Sequence, residues 1–137
     1  MEKVSTRGYM QRINELLNEL SSGSPEVSLQ SIGHFFEQGG RMVVVTGGDN
    51  VVALATLVTI TKVNGVTGRI EHVVVANEHR GKGLSYEMML DLIAIAQKQK
   101  LRYLDLTTEP KRIEANGLYQ KLGFVKRDTN PYRLKLT

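Results

Sequence analysis

Arg80-Gly81-Lys82-Gly83-Leu84-Ser85 puts two cations and two glycines into four consecutive positions, between a β-branched run and the first turn of a helical pattern. The first amides of a helix have no intrahelical acceptor and sit at the positive end of its macrodipole, so a phosphate placed there meets several N–H donors together. Glycine lets the backbone approach closely, and Arg80 and Lys82 add positive charge to the same cradle. A plain strand-to-helix turn is the competing reading, because short glycine motifs often mislead. Two phosphate-binding loops of similar spelling are excluded. A Walker-type loop needs four residues between its first glycine and a Gly-Lys-Ser/Thr ending, and Gly81-Lys82-Gly83 is too compact for that. A dinucleotide-binding loop needs a third glycine where this chain has Tyr86.

The elements that must position this loop follow from the periodicity around it. Ile13, Leu16, Leu17 and Leu20 recur at the spacing of one helical stripe, and Ser21 to Pro25 ends that helix. A second helical stretch runs through Val27, Leu29, Ile32, Phe35 and Phe36 to Gly39-Gly40. Three β-branched runs come next, Met42 to Thr46, Val51 to Ile60 and Arg69 to Val75, joined at Gly47 to Asn50 and at Asn64-Gly65. Short connections of residues that tolerate positive φ predict antiparallel hairpins and hence a meander. The strands are apolar almost continuously, which predicts that both faces of the sheet are covered. A helix from about Leu84 to Gln99, a strand from Tyr103 to Thr107, a helix from about Lys111 to Lys121 and an extended stretch from Phe124 to Leu136 complete the chain. The crossover from Val73 to Leu106 should be parallel and right-handed.

Composition bounds what this arrangement can do. A chain of 137 residues with 41% hydrophobic residues is long enough to bury a core as a single domain, residues 1–137, of the α/β (α+β) class. It has no cysteine, which excludes a disulfide scaffold, a Cys-ligated zinc site and a thiol nucleophile. No His, Asp and Glu set has ligand-like spacing, so no metal is expected. The N-terminal residues carry no signal pattern and no apolar run is long enough to span a membrane, so a cytoplasmic protein without membrane contact is expected. From Lys98 onward there are ten Lys/Arg against four Asp/Glu, a basic third that attracts phosphates of RNA or of a small cofactor. With three Phe, five Tyr and no Trp, the chain lacks the basic and aromatic interleaving of base-stacking surfaces, which argues against a nucleic-acid partner.

Val73-x-Val75 followed by Glu78-His79-Arg80-Gly81-Lys82-Gly83-Leu84, with Ala115-Asn116-Gly117-Leu118-Tyr119-Gln120-Lys121-Leu122-Gly123-Phe124 downstream, resembles the GCN5-related N-acetyltransferase (GNAT) superfamily. The resemblance covers roughly Val51 to Phe124 and includes two motifs in the expected order. It implies a mixed, mostly antiparallel sheet with helices on both faces and a splayed strand pair that opens the acetyl-CoA cleft. It also implies transfer of an acetyl group from acetyl-CoA, as cosubstrate, to an amine of a small molecule or peptide. The pyrophosphate would lie on the amides of residues 81 to 85, where Ser85 replaces the family's Gly or Ala. Val73, Val74 and Val75 match the strand along which the pantetheine arm pairs, with an amide of Val74 or Val75 donating to the thioester carbonyl. The oligomeric state stays open, homodimers being the common arrangement for such folds by resemblance.

The resemblance assigns Tyr119 as general acid toward the departing thiolate, a role that suits a phenol at neutral pH; the bland alternative is a packed aromatic. Asn116, three residues earlier, shares its helix face and is a candidate contact to the coenzyme. Where the family more often carries asparagine this chain has Arg112, a candidate contact to a phosphate or an acidic substrate. An attacking amine must lose a proton, and Glu71 is the candidate base, two residues before Val73 on the face shared by Val73 and Val75. Pairing of Glu71 with Arg69 or His72 is the alternative. His72 could also serve as base, as could a water chain, but His72 is expected on the opposite strand face from Glu71 and ranks below it. Local similarity to glucosamine-phosphate N-acetyltransferases in Ile70-Glu71-x-Val73-Val74-Val75 makes an amino-sugar phosphate the runner-up substrate. A non-catalytic acyl-CoA sensor or nucleic-acid module on the same fold is the competing class.

Overall fold

The structure, a computed structural model, describes residues 6–137, so expectations for residues 1–5 fall outside it. The chain forms two compact units, Met1–Leu106 and Thr107–Thr137. Among the described residues no helix is long and apolar enough to cross a membrane.

The first unit opens with α1, Thr6–Leu20, and α2, Leu29–Glu37. Ile13, Leu16 and Leu17 of α1 are buried in one cluster with Val51, Val52, Leu54 and Val74, as the helical stripe requires. Ser28 caps α2 reciprocally with Ser31: the Ser31 amide donates to Ser28 Oγ, and the Ser28 amide donates to Ser31 Oγ. Strands β1, Arg41–Gly47, β2, Asn50–Lys62, and β3, Gly65–Val75, form the predicted antiparallel meander, each longer than its apolar run. Gly47 pairs with Asn50 and Lys62 with Gly65, so both connections are two-residue turns. The second is centred on Val63-Asn64, one residue earlier than expected.

A parallel β4 follows the crossover helix α3, Leu84–Lys98, and the sheet order is β1-β2-β3-β4. β4 is only Leu104–Asp105, shorter than the strand expected over Tyr103–Thr107. Its pairing to β3 is limited to Gly68 and Arg69. The sheet is pinned there by close packing: a Cβ on Gly68 would lie 2.6 Å from Leu104 Cδ2 and 2.8 Å from Leu101 Cδ1. Beyond Arg69 the outer edge of β3 has no ladder partner among the described residues.

The second unit holds α4, Ile113–Lys121, and the segment 122–137, in which no strand is assigned. The extended stretch expected from Phe124 to Leu136 therefore has no ladder among the described residues, and Tyr132, Leu134 and Leu136 are exposed.

Candidate functional site

β3 leads into the glycine loop through Ala76 and a 3-10 turn, Asn77–His79. The turn is tied back to the strand by Arg80, whose Nε donates to the Val75 carbonyl at 3.2 Å and whose guanidinium reaches Asn77 Oδ1. Gly81 and Gly83 follow in the left-handed region, with φ of 77° and 78°. A side chain there is disfavoured by backbone conformation alone, because a Cβ built on either glycine meets nothing within 4 Å. Gly83 is the N-cap of α3 and no side chain caps the helix, so the first-turn amides have no protein acceptor supplied by the cap residue. Lys82 is exposed beside them, while Leu84 packs against the α1 cluster and anchors the first turn. An open loop with two left-handed glycines at the start of a 15-residue helix whose N-cap residue offers no side-chain cap, with an exposed ammonium beside it, fits a pyrophosphate.

β3 carries a bulge before this loop. Thr56 pairs with Glu71 and Leu54 with Val74, so three steps on β3 face two on β2. His72 lies in the bulge with φ of 56°, a conformation that costs a non-glycine residue about 1 kcal/mol or more. The extra residue changes which side chains share a face. Glu71 stands opposite Thr56 and shares a face with Leu54 and Val74, not with Val73 and Val75 as strict alternation predicted. His72 is displaced in the same way: its Nδ1 lies 3.3 Å from Thr56 Oγ1, so its ring is on Glu71's side, not the opposite one. A one-residue bulge leaves no mark in a β-branched run, so strict alternation ranks His72 below Glu71.

Backbone polarity along β3 is settled by the same register. The Ala76 amide donates to the Val52 carbonyl at 2.7 Å, so by alternation Val74 also faces β2 and Val75 faces the outer edge. Of the two amides considered for the thioester carbonyl, that of Val75 has the open aspect. Val74 and Val75 side chains are buried and Val73 is half-buried. Glu71 is held by Arg69, whose Nε lies 2.6 Å from its carboxylate.

In the second unit Tyr119 is buried, with its ring edge-on to Phe124 at 6.0 Å. Burial pushes its phenol pKa up from the ordinary value, and the Arg112 guanidinium opposes that shift. Arg112 is the N-cap of α4, and its side chain makes no cap hydrogen bond. Asn116 spends its amide group locally: Nδ2 donates to the carbonyls of Glu109 at 3.0 Å and Arg112 at 2.8 Å. It thereby fixes the turn that carries Arg112. Thr108 Oγ1 is buried without a hydrogen-bond partner among the described residues, a polar position that no sequence pattern marked. No group of three or more metal-ligating side chains occurs among the described residues.

A four-stranded mixed sheet flanked by helices, with a bulged strand running into a glycine loop at a helix N-terminus, is the architecture of acetyl-CoA-binding transferases. Residues 10–124 match the acetyltransferase (GNAT) family, and the chain belongs to it. An uncharacterised N-acetyltransferase of Bacillus subtilis, YobR, is 31% identical over 83 residues; the match covers 61% of this chain and only 33% of that relative. The chain thus spans about a third of that protein's length. Among solved structures, an acetyltransferase of Trypanosoma brucei superposes with a TM-score of 0.78 at 26% identity, covering 93% of this chain and 92% of the other. The glucosamine-6-phosphate N-acetyltransferase of Arabidopsis thaliana has the same fold, with a TM-score of 0.76 at 20% identity over 97% of this chain and 94% of its own.

Proposed function

We propose that this chain transfers the acetyl group of acetyl-CoA to a primary amine of a small molecule or peptide by direct attack in a ternary complex. The observation that carries this reading is the N-terminus of α3, where Gly81 and Gly83 hold a left-handed, open loop in front of uncapped amides. Bound there, acetyl-CoA supplies an activated acetyl thioester. Residues 81 to 85 would hold its pyrophosphate through backbone amides, with Lys82 adding charge. Arg80 supports the loop from behind through Val75 and Asn77. The outward amide of Val75 is the donor suited to the thioester carbonyl, where it would stabilise developing negative charge. By the family resemblance Tyr119 supplies the proton to the departing sulfur, for which a neutral phenol is the required form, and burial keeps it neutral. Asn116 would act by holding the turn before α4, and Arg112 would meet a phosphate of coenzyme or substrate.

An anionic amine, such as an amino-sugar phosphate, is the second reading. It is favoured by the charge distribution, since Thr107–Thr137 carries seven Lys/Arg against three Asp/Glu while the remainder balances eleven against eleven. Calorimetric titration with acetyl-CoA and with CoA, followed by a thiol-release screen over amino-sugar phosphates, polyamines, amino acids and short peptides, tests both readings. Thiol release with an amine supports transfer and names the acceptor class. Binding without release would assign a sensing role instead.

A further inference from the structure

We propose that His72, held by Thr56 in the β3 bulge, is the group that takes the proton from the acceptor amine. The proposal rests on the acetyl-transfer reading above and names the base for that same site. Thr56 is buried, and its hydroxyl has one hydrogen to give. That hydrogen is donated to the Glu71 carbonyl at 2.8 Å. Toward His72 Nδ1, at 3.3 Å, the same oxygen can only accept. This arrangement favours the neutral imidazole with its proton on Nδ1 and a lone pair on Nε2. His72 is an exposed residue. Glu71, the carboxylate on the same face, is already engaged with Arg69 at 2.6 Å.

Backbone strain points the same way. A non-glycine residue with φ of 56° inside a strand persists only where its surroundings hold it, and such positions concentrate at functional sites. This one lies three residues before Val75, whose outward amide is the candidate donor to the thioester carbonyl. In the step proposed, Nε2 takes one proton from the acceptor ammonium and frees the nitrogen lone pair that forms the new C–N bond. The thioester C–S bond breaks with its electron pair on sulfur. The second amine proton is lost as the amide forms and balances the proton that the thiolate takes up, and His72 returns its own proton to solvent. Thr56 is then a positioning residue, acting through the tautomer it selects.

The test uses His72→Gly, because glycine is at home at positive φ and should not lower the melting temperature. His72→Asn, also tolerated there, is the second variant. Kinetics are followed by thiol release with glucosamine 6-phosphate, spermidine and a lysine-containing tripeptide as acceptors. His72→Gly is expected to lose at least a hundredfold in kcat, keep acetyl-CoA affinity within twofold, and regain at least tenfold with added imidazole. Independently of turnover, long-range ¹⁵N–¹H spectra of histidine-labelled protein should show the Nδ1–H tautomer for His72. That signal should be lost in Thr56→Val and restored in Thr56→Ser. A kcat of His72→Gly within threefold of wild type, no rescue by imidazole, or an Nε2–H tautomer in wild type would each overturn the proposal. Failure of wild type to release thiol with any of the three amines would instead defeat the acetyl-transfer reading itself.

Discussion

Tyr119 shows how a single buried side chain ties chemistry to stability. If it protonates the leaving sulfur, Tyr119→Phe should lower kcat by about tenfold to a hundredfold while acetyl-CoA affinity stays within about twofold. An unchanged kcat would remove the hydroxyl from the mechanism. Its titration makes a second, separate prediction. Burial raises its pKa above the ordinary value of 10.0, with Arg112 acting in the opposite direction. A raised folded-state pKa means that the contribution to stability is whole below the unfolded value and is lost as pH rises through the folded one. Thermal melts between about pH 9 and pH 11 should therefore fall more steeply for wild type than for Tyr119→Phe. Parallel curves would contradict the shift. At this scale the sequence is informative about identity and poor about environment. Type and spacing mark the two glycines, whereas Tyr119 is singled out by the family resemblance and Glu71 by its strand position together with that resemblance. The tethering of Asn116 to two carbonyls and of Glu71 to Arg69 depends on local geometry that spacing does not encode.

The elements were legible wherever burial enforces a period. The α1 stripe, the three-strand meander and α3 follow from apolar recurrence. Ile13, Leu16 and Leu17 of α1 and Met88 and Leu92 of α3 are buried as the period requires, while Leu20, Leu84 and Ile95 are only half-buried and α3 also buries Met89 and Ala96. The misreadings fall where the period breaks. One additional residue at the bulge moved Glu71 and His72 onto a common face, and β4 shrank to two residues because its ladder on β3 stops at Arg69. Packing at that ladder makes a prediction. Gly68→Ala would bring a Cβ within 3.1 Å of three leucine side chains, from Leu57, Leu101 and Leu104. It should destabilise the fold by about 1–3 kcal/mol, read as a lower denaturation midpoint; a midpoint equal to wild type would mean that the leucines move aside without cost. The α3 N-terminus predicts the opposite split. Gly83→Asp places a side chain in open space but at positive φ, so it should cost about 1 kcal/mol and lower the melting temperature modestly, while a negative charge enters the phosphate-binding loop.

At the scale of the whole molecule, the net charge of +4 is carried entirely by the second unit, Thr107–Thr137, and the first unit is balanced. Charge is the property that sequence reports most directly, and the basic shift read from Lys98 onward falls close to the division between the two units at Leu106 and Thr107. A field of this sign accelerates capture of an anionic ligand and is screened by salt. Replacing the exposed Lys126, Arg133 and Lys135 by glutamine should slow acetyl-CoA association at low salt and flatten its dependence on ionic strength, as read by stopped-flow. An unaltered salt dependence would place the steering charge elsewhere. The central claim is that the left-handed glycine loop at the start of α3 binds the pyrophosphate of acetyl-CoA. Calorimetric titration of wild type and Gly83→Asp with acetyl-CoA, on protein shown to be folded at the titration temperature, tests it most directly. The account predicts saturable binding by wild type and at least a tenfold weaker affinity in the variant; absent binding by wild type, or equal affinity in both, would contradict it.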